Sequence, residues 1–272
     1  MSASRMKNLI LLVLTLCALG LLCIVVPNRL SQTHEQRQML QELKTLYESY
    51  GLSIEPDELP RSPTLYSVEL SEDGAQTAAQ ALLGAKAALA GESGFESTYE
   101  SELGTLRVTR TGGFSAALIG GSRVSNPEKT AEKLLHAMDF QYQTLTREQA
   151  EDGVRICASQ TLLGVPVFGS LLELVYQDDR LTSAEGTFYT GGSSITRVSE
   201  QEAISAADAL AQLLARRDAL GWVGSAVTAL TLGYLPSELA GTGIRFVPVW
   251  RVETDAGSFS INGITREITA EK

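Results

Sequence analysis

The chain has 272 residues, 44% hydrophobic and 20% charged, a balance that belongs to folded globular proteins and excludes an intrinsically disordered one. The formal net charge is −10 in total and +3 over residues 1–29 (Arg5, Lys7, Arg29), so residues 30–272 carry −13. A surface that acidic repels nucleic-acid phosphates and anionic membrane surfaces, which excludes nucleic acid as a partner.

Leu9 to Val26 carries no charge, and its one conventional polar side chain is Thr15. As a helix it would rise roughly 27 Å, close to the thickness of a bilayer's hydrocarbon core. A cleaved signal peptide would have a shorter apolar region and a small-x-small exit. This run leaves through Leu22, Cys23, Ile24, Val25, Val26 and Pro27, and neither Cys17 nor Cys23 follows a small residue, as a lipoprotein signal requires. The expectation is an uncleaved transmembrane anchor. Arg5 and Lys7 lead it, which favours a cytoplasmic N-terminus and an extracytoplasmic remainder. Cys17, Gly20 and Cys23 recur every three residues, a candidate helix-packing face; the alternative is that they simply face lipid.

Residues 32–50 read as a helix with a seam of Met39, Leu43, Leu46 and Tyr50. The stub packs either on a partner's juxtamembrane helix or on its own domain. A linker with Pro56, Pro60 and Pro63 follows. Helix-plus-strand patterns then recur three times. The first has a strand at Thr64–Leu70, a helix at Asp73–Leu89, and strands at Phe95–Leu103, Thr105–Thr111 and Phe114–Gly120. The second opens on a capping box at Ser125–Glu128 and continues with strands at Val154–Leu163, Leu171–Gln177 and Leu181–Tyr189, with Asp178-Asp179 in a hairpin turn. The third opens on a capping box at Ser199–Glu202 and continues with strands at Ala226–Leu235, Phe246–Glu253 and Ser258–Ile268, with Asp255-Ala-Gly257 as a turn. Links this short need antiparallel pairing. The expected fold is α+β: one transmembrane helix followed by repeated helix-and-antiparallel-sheet units. The expected segments are a tail and anchor (1–30), a juxtamembrane helix and linker (31–63), a first unit (64–124), and second and third units (125–272).

Motifs for chemistry are sparse. His34 and His136 have no metal-ligand spacing and read as solvated or core-edge residues. Gly113-Phe-Ser115-Ala-Ala117 is half of a nucleophile elbow, without its second glycine. The pairs Gly112-Gly113, Gly120-Gly121 and Gly191-Gly192 lack the Gly-Lys-Ser/Thr of a phosphate loop and read as turns. Glu151/Asp152 and Asp178/Asp179 read as solvated turn carboxylates rather than an acid–base pair. Cys157, the one cysteine outside the apolar run, sits in an alternating strand pattern and reads as a buried thiol rather than a nucleophile. Trp222 and Trp250 read as core anchors rather than ligand platforms. No catalytic, cofactor or metal residues are expected, and the chain is not expected to be an enzyme.

Several patches resemble a known family. These are Tyr50-Gly-Leu-Ser-Ile-Glu-Pro, Gly164-Val-Pro-Val-Phe-Gly, Leu232-Gly-Tyr-Leu, Val247-Pro-Val-Trp-Arg-Val-Glu-Thr and Ser260-Ile-Asn-Gly. With the leading anchor they look like the YycI-type proteins of Gram-positive bacteria, kin of the YycH type. The last unit also resembles PepSY modules, although Arg266 stands where those carry a glycine. The resemblance implies a non-enzymatic accessory of a two-component sensor kinase controlling cell-wall metabolism. Its partners would be the kinase's transmembrane helices in the cell membrane and a YycH-like sister protein. The alternative is a PepSY-like extracellular inhibitor or binding module for a protease or cell-wall component.

Overall fold

A computed structural model of the chain describes residues 37–60, 63–70, 74–119, 121–150, 153–191, 195–238 and 244–271. The expected anchor Leu9–Val26, its face Cys17, Gly20 and Cys23, and His34 lie outside the described residues. Among the described residues no helix is long and apolar enough to cross a membrane.

The elements are α1 (37–49), β1 (Ser53–Ile54), β2 (Val68–Leu70), α2 (Gly74–Leu83), β3 (Ala88–Glu92), β4 (Glu96–Ser101), β5 (Gly104–Thr109), β6 (Gly113–Leu118), α3 (Pro127–Ala137), β7 (Tyr142–Ala150), β8 (Gly153–Leu162), β9 (Val165–Gln177), β10 (Arg180–Thr187), β11 (Ile195–Arg197), α4 (Ala206–Ala215), α5 (Arg217–Leu220), β12 (Ala226–Glu238), β13 (Ile244–Thr254), β14 (Gly257–Asn262) and β15 (Ile268–Glu271).

The expected α+β arrangement of separate repeated units is overturned. Of the described residues 48% are strand and 22% helix, and ten strands run in one curled half-barrel path, β11-β2-β13-β12-β9-β10-β6-β5-β4-β3. The physical reason is that strand edges seek partners. β6, from the first expected unit, pairs with β10 from the second (Ala116↔Ala184), and β2 pairs with β13 from the third (Val68↔Phe246).

Two cores divide this sheet into lobes. In lobe B, residues 74–188, α2 and α3 lay Ala78, Ala79, Leu82, Leu83, Ala131 and Leu135 on the inward residues of β4–β6 and β8–β10, among them Leu106, Ile156 and Leu172. In lobe A, α1 and α4 cover β12, β13 and β14, and Trp250 is fully buried with its indole N–H donating to the Ile204 carbonyl at 2.9 Å. Lobe B is inserted between β2 and β11, which are themselves antiparallel neighbours (Leu70↔Ile195).

Both expected capping boxes are displaced. Asn126, not Ser125, caps α3, accepting from the Lys129 N–H at 3.1 Å with Pro127 next in the chain. The cap of α4 is Ser205 with Asp208. Ser199 and Glu202 are already engaged by lobe A: the Ser199 hydroxyl accepts from the Ser67 N–H, and Glu202 accepts from the Tyr66 hydroxyl at 2.8 Å. α2 ends at Leu83 rather than Leu89, because Gly84 turns with φ +82° and the following residues become β3.

Candidate functional site

The site is the joint between the lobes. Its pivot is the extended dipeptide Phe188-Tyr189, whose side chains point to opposite sides. Phe188 enters core B, with ring centroids 5.3 Å from Phe114 and 4.8 Å from Phe140. Tyr189 enters core A, 5.0 Å from Phe246 and edge-on to it. Gln160, in the interior of β8 and 1% exposed, holds the crossing. Its amide donates to the Tyr189 carbonyl at 2.8 Å and accepts from the Tyr189 N–H at 3.1 Å, as a neighbouring strand would. The single Ser170 hydroxyl proton is shared between the same Gln160 oxygen at 3.0 Å and the Thr187 carbonyl at 2.8 Å. A buried polar side chain is tolerated because each of its atoms has a partner.

Two glycines let the backbones close around this crossing. A Cβ on Gly112 would sit 2.5 Å from the Tyr189 ring, and one on Gly74 would sit 2.0 Å from the Gly191 nitrogen. Gly112 also adopts φ +87°, which L side chains rarely occupy.

The second contact between lobes is the tip of the β8–β9 hairpin, where Val167 pairs in parallel with Tyr234 of β12. Gly233 makes this possible, since a Cβ there would lie 2.6 Å from the Pro166 carbonyl oxygen and 2.7 Å from the Phe168 ring. Four of the five patches singled out in the sequence therefore meet. Gly164–Gly169 lies on Leu232–Leu235, which pairs with Val247–Trp250, and Val249–Arg251 pairs in turn with Ser260–Asn262.

Beside the joint lies a cleft of about 310 Å³. Lobe B supplies Ala75, Glu92, Ser93, Phe95, Glu96, Ser97, Tyr99, Val108, Thr109 and Arg110, and lobe A supplies Leu70, Ile244 and Phe246, with Phe188–Thr190 as the floor between them. Phe95, at the β3–β4 turn, is 79% exposed. Burial, with the Glu92 carboxylate adding to it, raises the Tyr99 phenol above its ordinary pKa. A second, more open cavity of about 640 Å³ lies beside Pro127 at the start of α3 and the Asp178-Asp179 turn.

The residues weighed for chemistry do not converge. His136 is exposed on α3 and Ser115 exposed on β6; Asp178 and Asp179 form the β9–β10 turn with φ of 49° and 60°; Glu151 and Asp152 lie outside the described residues. Cys157 is buried, and its thiol pKa is raised first by burial, then by Glu173 and Glu148. Among the described residues no group of three His, Cys, Asp or Glu could hold a metal ion. Trp222 and Trp250 are buried in core A. The joint was not legible as a site in the sequence, because Gln160 gives no motif; its one signal was a glutamine at an inward position of an alternating strand.

α1 is part of lobe A. Leu40, Leu43 and Tyr47 are buried, and the Tyr47 hydroxyl donates to the Leu210 carbonyl of α4 at 2.8 Å. The expected seam is rotated: Met39, Leu46 and Tyr50 are 45%, 42% and 60% exposed. The inward set follows spacings of three and four onto α4, a packing within the domain.

No protein-family model matches the chain, and no curated protein matches it. Among solved structures, an uncharacterized protein from Eubacterium rectale aligns with 81% of this chain and 90% of its own, at 11% identity and a TM-score of 0.47. The Bacillus megaterium YpeB C-terminal domain aligns with 75% of this chain and 99% of its own, at 14% identity and a TM-score of 0.35. Likenesses this loose assign no function.

Proposed function

We propose that the chain is a non-enzymatic accessory regulator of a cell-wall two-component sensor kinase. It is held in the cell membrane by Leu9–Val26, with the lobes outside, and acts by contact with the kinase's transmembrane helices and with a YycH-like sister protein. One observation supports this reading: α1, the described element nearest the apolar run, is built into core A through Leu40, Leu43 and Tyr47 rather than left as a free tether. A displacement of lobe A on binding a partner is therefore passed to the chain that leads into the membrane. A differential contact of about 1–3 kcal/mol would change kinase output several-fold to a hundred-fold. Replacing Leu9–Val26 with an unrelated apolar helix should abolish the effect on the kinase; unchanged output sinks the proposal. Crosslinking from Cys17, Gly20 or Cys23 positions in cells should capture a membrane helix of the kinase.

The cleft favours a second reading, an extracellular inhibitor or binding module for a protease or cell-wall component. This activity would persist in a fragment lacking residues 1–30, whereas the first would not.

A further inference from the structure

We infer that the cleft and the neighbouring edge strand β3 take an extended, basic and apolar peptide segment, which adds to the sheet as a strand beside β3. The inference rests on the second reading alone, that the cleft is a binding site.

Three observations carry it. First, β3 ends the ten-strand path, and its one partner among the described strands is β4. All five of its residues are exposed, and on either side of the register shift between Leu89 and Gly91 its outer edge stands where an added strand would find it. Second, β3 runs into the cleft. Glu92 is both its last residue and part of the cleft wall, so a segment lying along Ala88–Glu92 is led into the space beside Phe95 and Tyr99. A cavity of about 310 Å³ suits one or two side chains rather than a folded element. Third, the charge along this edge is acidic, with Arg110 the one cation that lines the cleft beside Glu92 and Glu96. Between Lys86 and Arg107 the chain has Glu92, Glu96, Glu100 and Glu102 and no basic residue. These glutamates repel a second copy of the same edge and attract a strand carrying Lys or Arg. They decide between the two possible occupants of an open edge.

The test uses the full chain in detergent micelles and fluorescent blocked heptapeptides alternating Lys with Phe, read by anisotropy. An alternating Glu/Phe peptide and a Lys/Phe peptide with two internal prolines serve as comparisons. The Lys/Phe peptide should bind at least tenfold more tightly than either. Ser97→Trp, which fills the cleft from β4, should abolish binding while leaving the far-UV circular dichroism unchanged. Glu92→Lys with Glu96→Lys should reverse the charge preference. Binding that tolerates the prolines or ignores Ser97→Trp overturns the proposal. So does binding of the apolar dye bis-ANS in the cleft, lost in Ser97→Trp, with no peptide bound; the cleft would then be a site for small molecules. If neither dye nor peptide binds there, the reading of the cleft as a site falls as well.

Discussion

Gln160→Leu tests whether the joint between the lobes is held by hydrogen bonds or by packing alone. The replacement keeps most of the side-chain volume, so the cavity cost is small and the change isolates polar contacts. Three bonds go: Gln160 to the Tyr189 carbonyl at 2.8 Å, the Tyr189 N–H to Gln160 at 3.1 Å, and Ser170 to Gln160 at 3.0 Å. Ser170 keeps the Thr187 carbonyl, so its loss is the least. At about 1 kcal/mol for each bond, and more for the Tyr189 groups because they stay buried, the cost is about 3 kcal/mol. With a urea slope of about 3 kcal/mol/M, the midpoint falls by about 1 M. Two probes separate the lobes. Trp222 and Trp250 both lie in core A, so their fluorescence follows lobe A, whereas far-UV circular dichroism follows both lobes. The native chain should give coincident curves, and the variant curves that part. A midpoint shift below roughly 0.2 M with coincident curves would refute the account, because neighbours would then be replacing the clamp without loss.

Four other outcomes are expected. Tyr47→Phe removes the bond to the Leu210 carbonyl and leaves the ring in place, so chemical denaturation should show a loss of about 1 kcal/mol; no loss means that α1 is not fixed to α4 by that bond. Gly112→Ala forces a side chain into positive φ and against the Tyr189 ring, lowering stability by about 1–3 kcal/mol, where Gly94→Ala, with open space around it, should be near neutral. Asp255 accepts from the Ser225 hydroxyl and N–H, which holds its carboxyl below the ordinary aspartate range. A depressed carboxyl contributes stability above its unfolded pKa of about 3.9 and loses it as pH falls through the folded value. Melting temperature should therefore drop below about pH 4 in the native chain, and Asp255→Asn should flatten that limb while lowering the melting temperature at pH 7. Cys157, measured with Cys17 and Cys23 replaced by Ser, should react with a maleimide only as fast as the domain opens; prompt labelling at pH 7 would show that β8 is not shielded.

Most strands and their turns were legible because hairpins announce themselves locally. Glu96–Ser101 falls within the expected Phe95–Leu103, β5 and β6 overlap the expected Thr105–Thr111 and Phe114–Gly120 but each starts one residue earlier, on Gly104 and Gly113, and Asp178-Asp179 turns β9 into β10. β3 was hidden because Ala88-Leu-Ala reads as helix; Gly84 was the overlooked stop. β7 was hidden because an edge strand of polar residues has no buried face to mark it. The fold class failed for a different reason. Element order along the chain was read as one sheet per unit, yet pairings such as β6 with β10 and β2 with β13 depend on which edges meet in space. The caps failed likewise: Ser199 and Glu202 have the right spacing, but Ser67 and Tyr66 claim them first. The candidate packing face at Cys17, Gly20 and Cys23 lies outside the described residues, and the joint at Gln160 came from the structure alone.

The insertion of lobe B between β2 and β11 sets an order of events during synthesis. Lobe B is contiguous, built largely from hairpins, and can assemble as soon as residue 188 has emerged. Lobe A cannot. Tyr47 of α1 waits for Leu210, β1 waits for β12 (Ser53↔Ala226), and β2 waits for β13, so the first elements made are the last to find their partners. Until β11 and α4 arrive, β2 and the apolar residues of α1 have nothing in lobe A to cover them, and the cover is complete only with β13. That interval is when the chain is most open to aggregation or to a chaperone, and it ends only when the C-terminal strands close over the N-terminal helix.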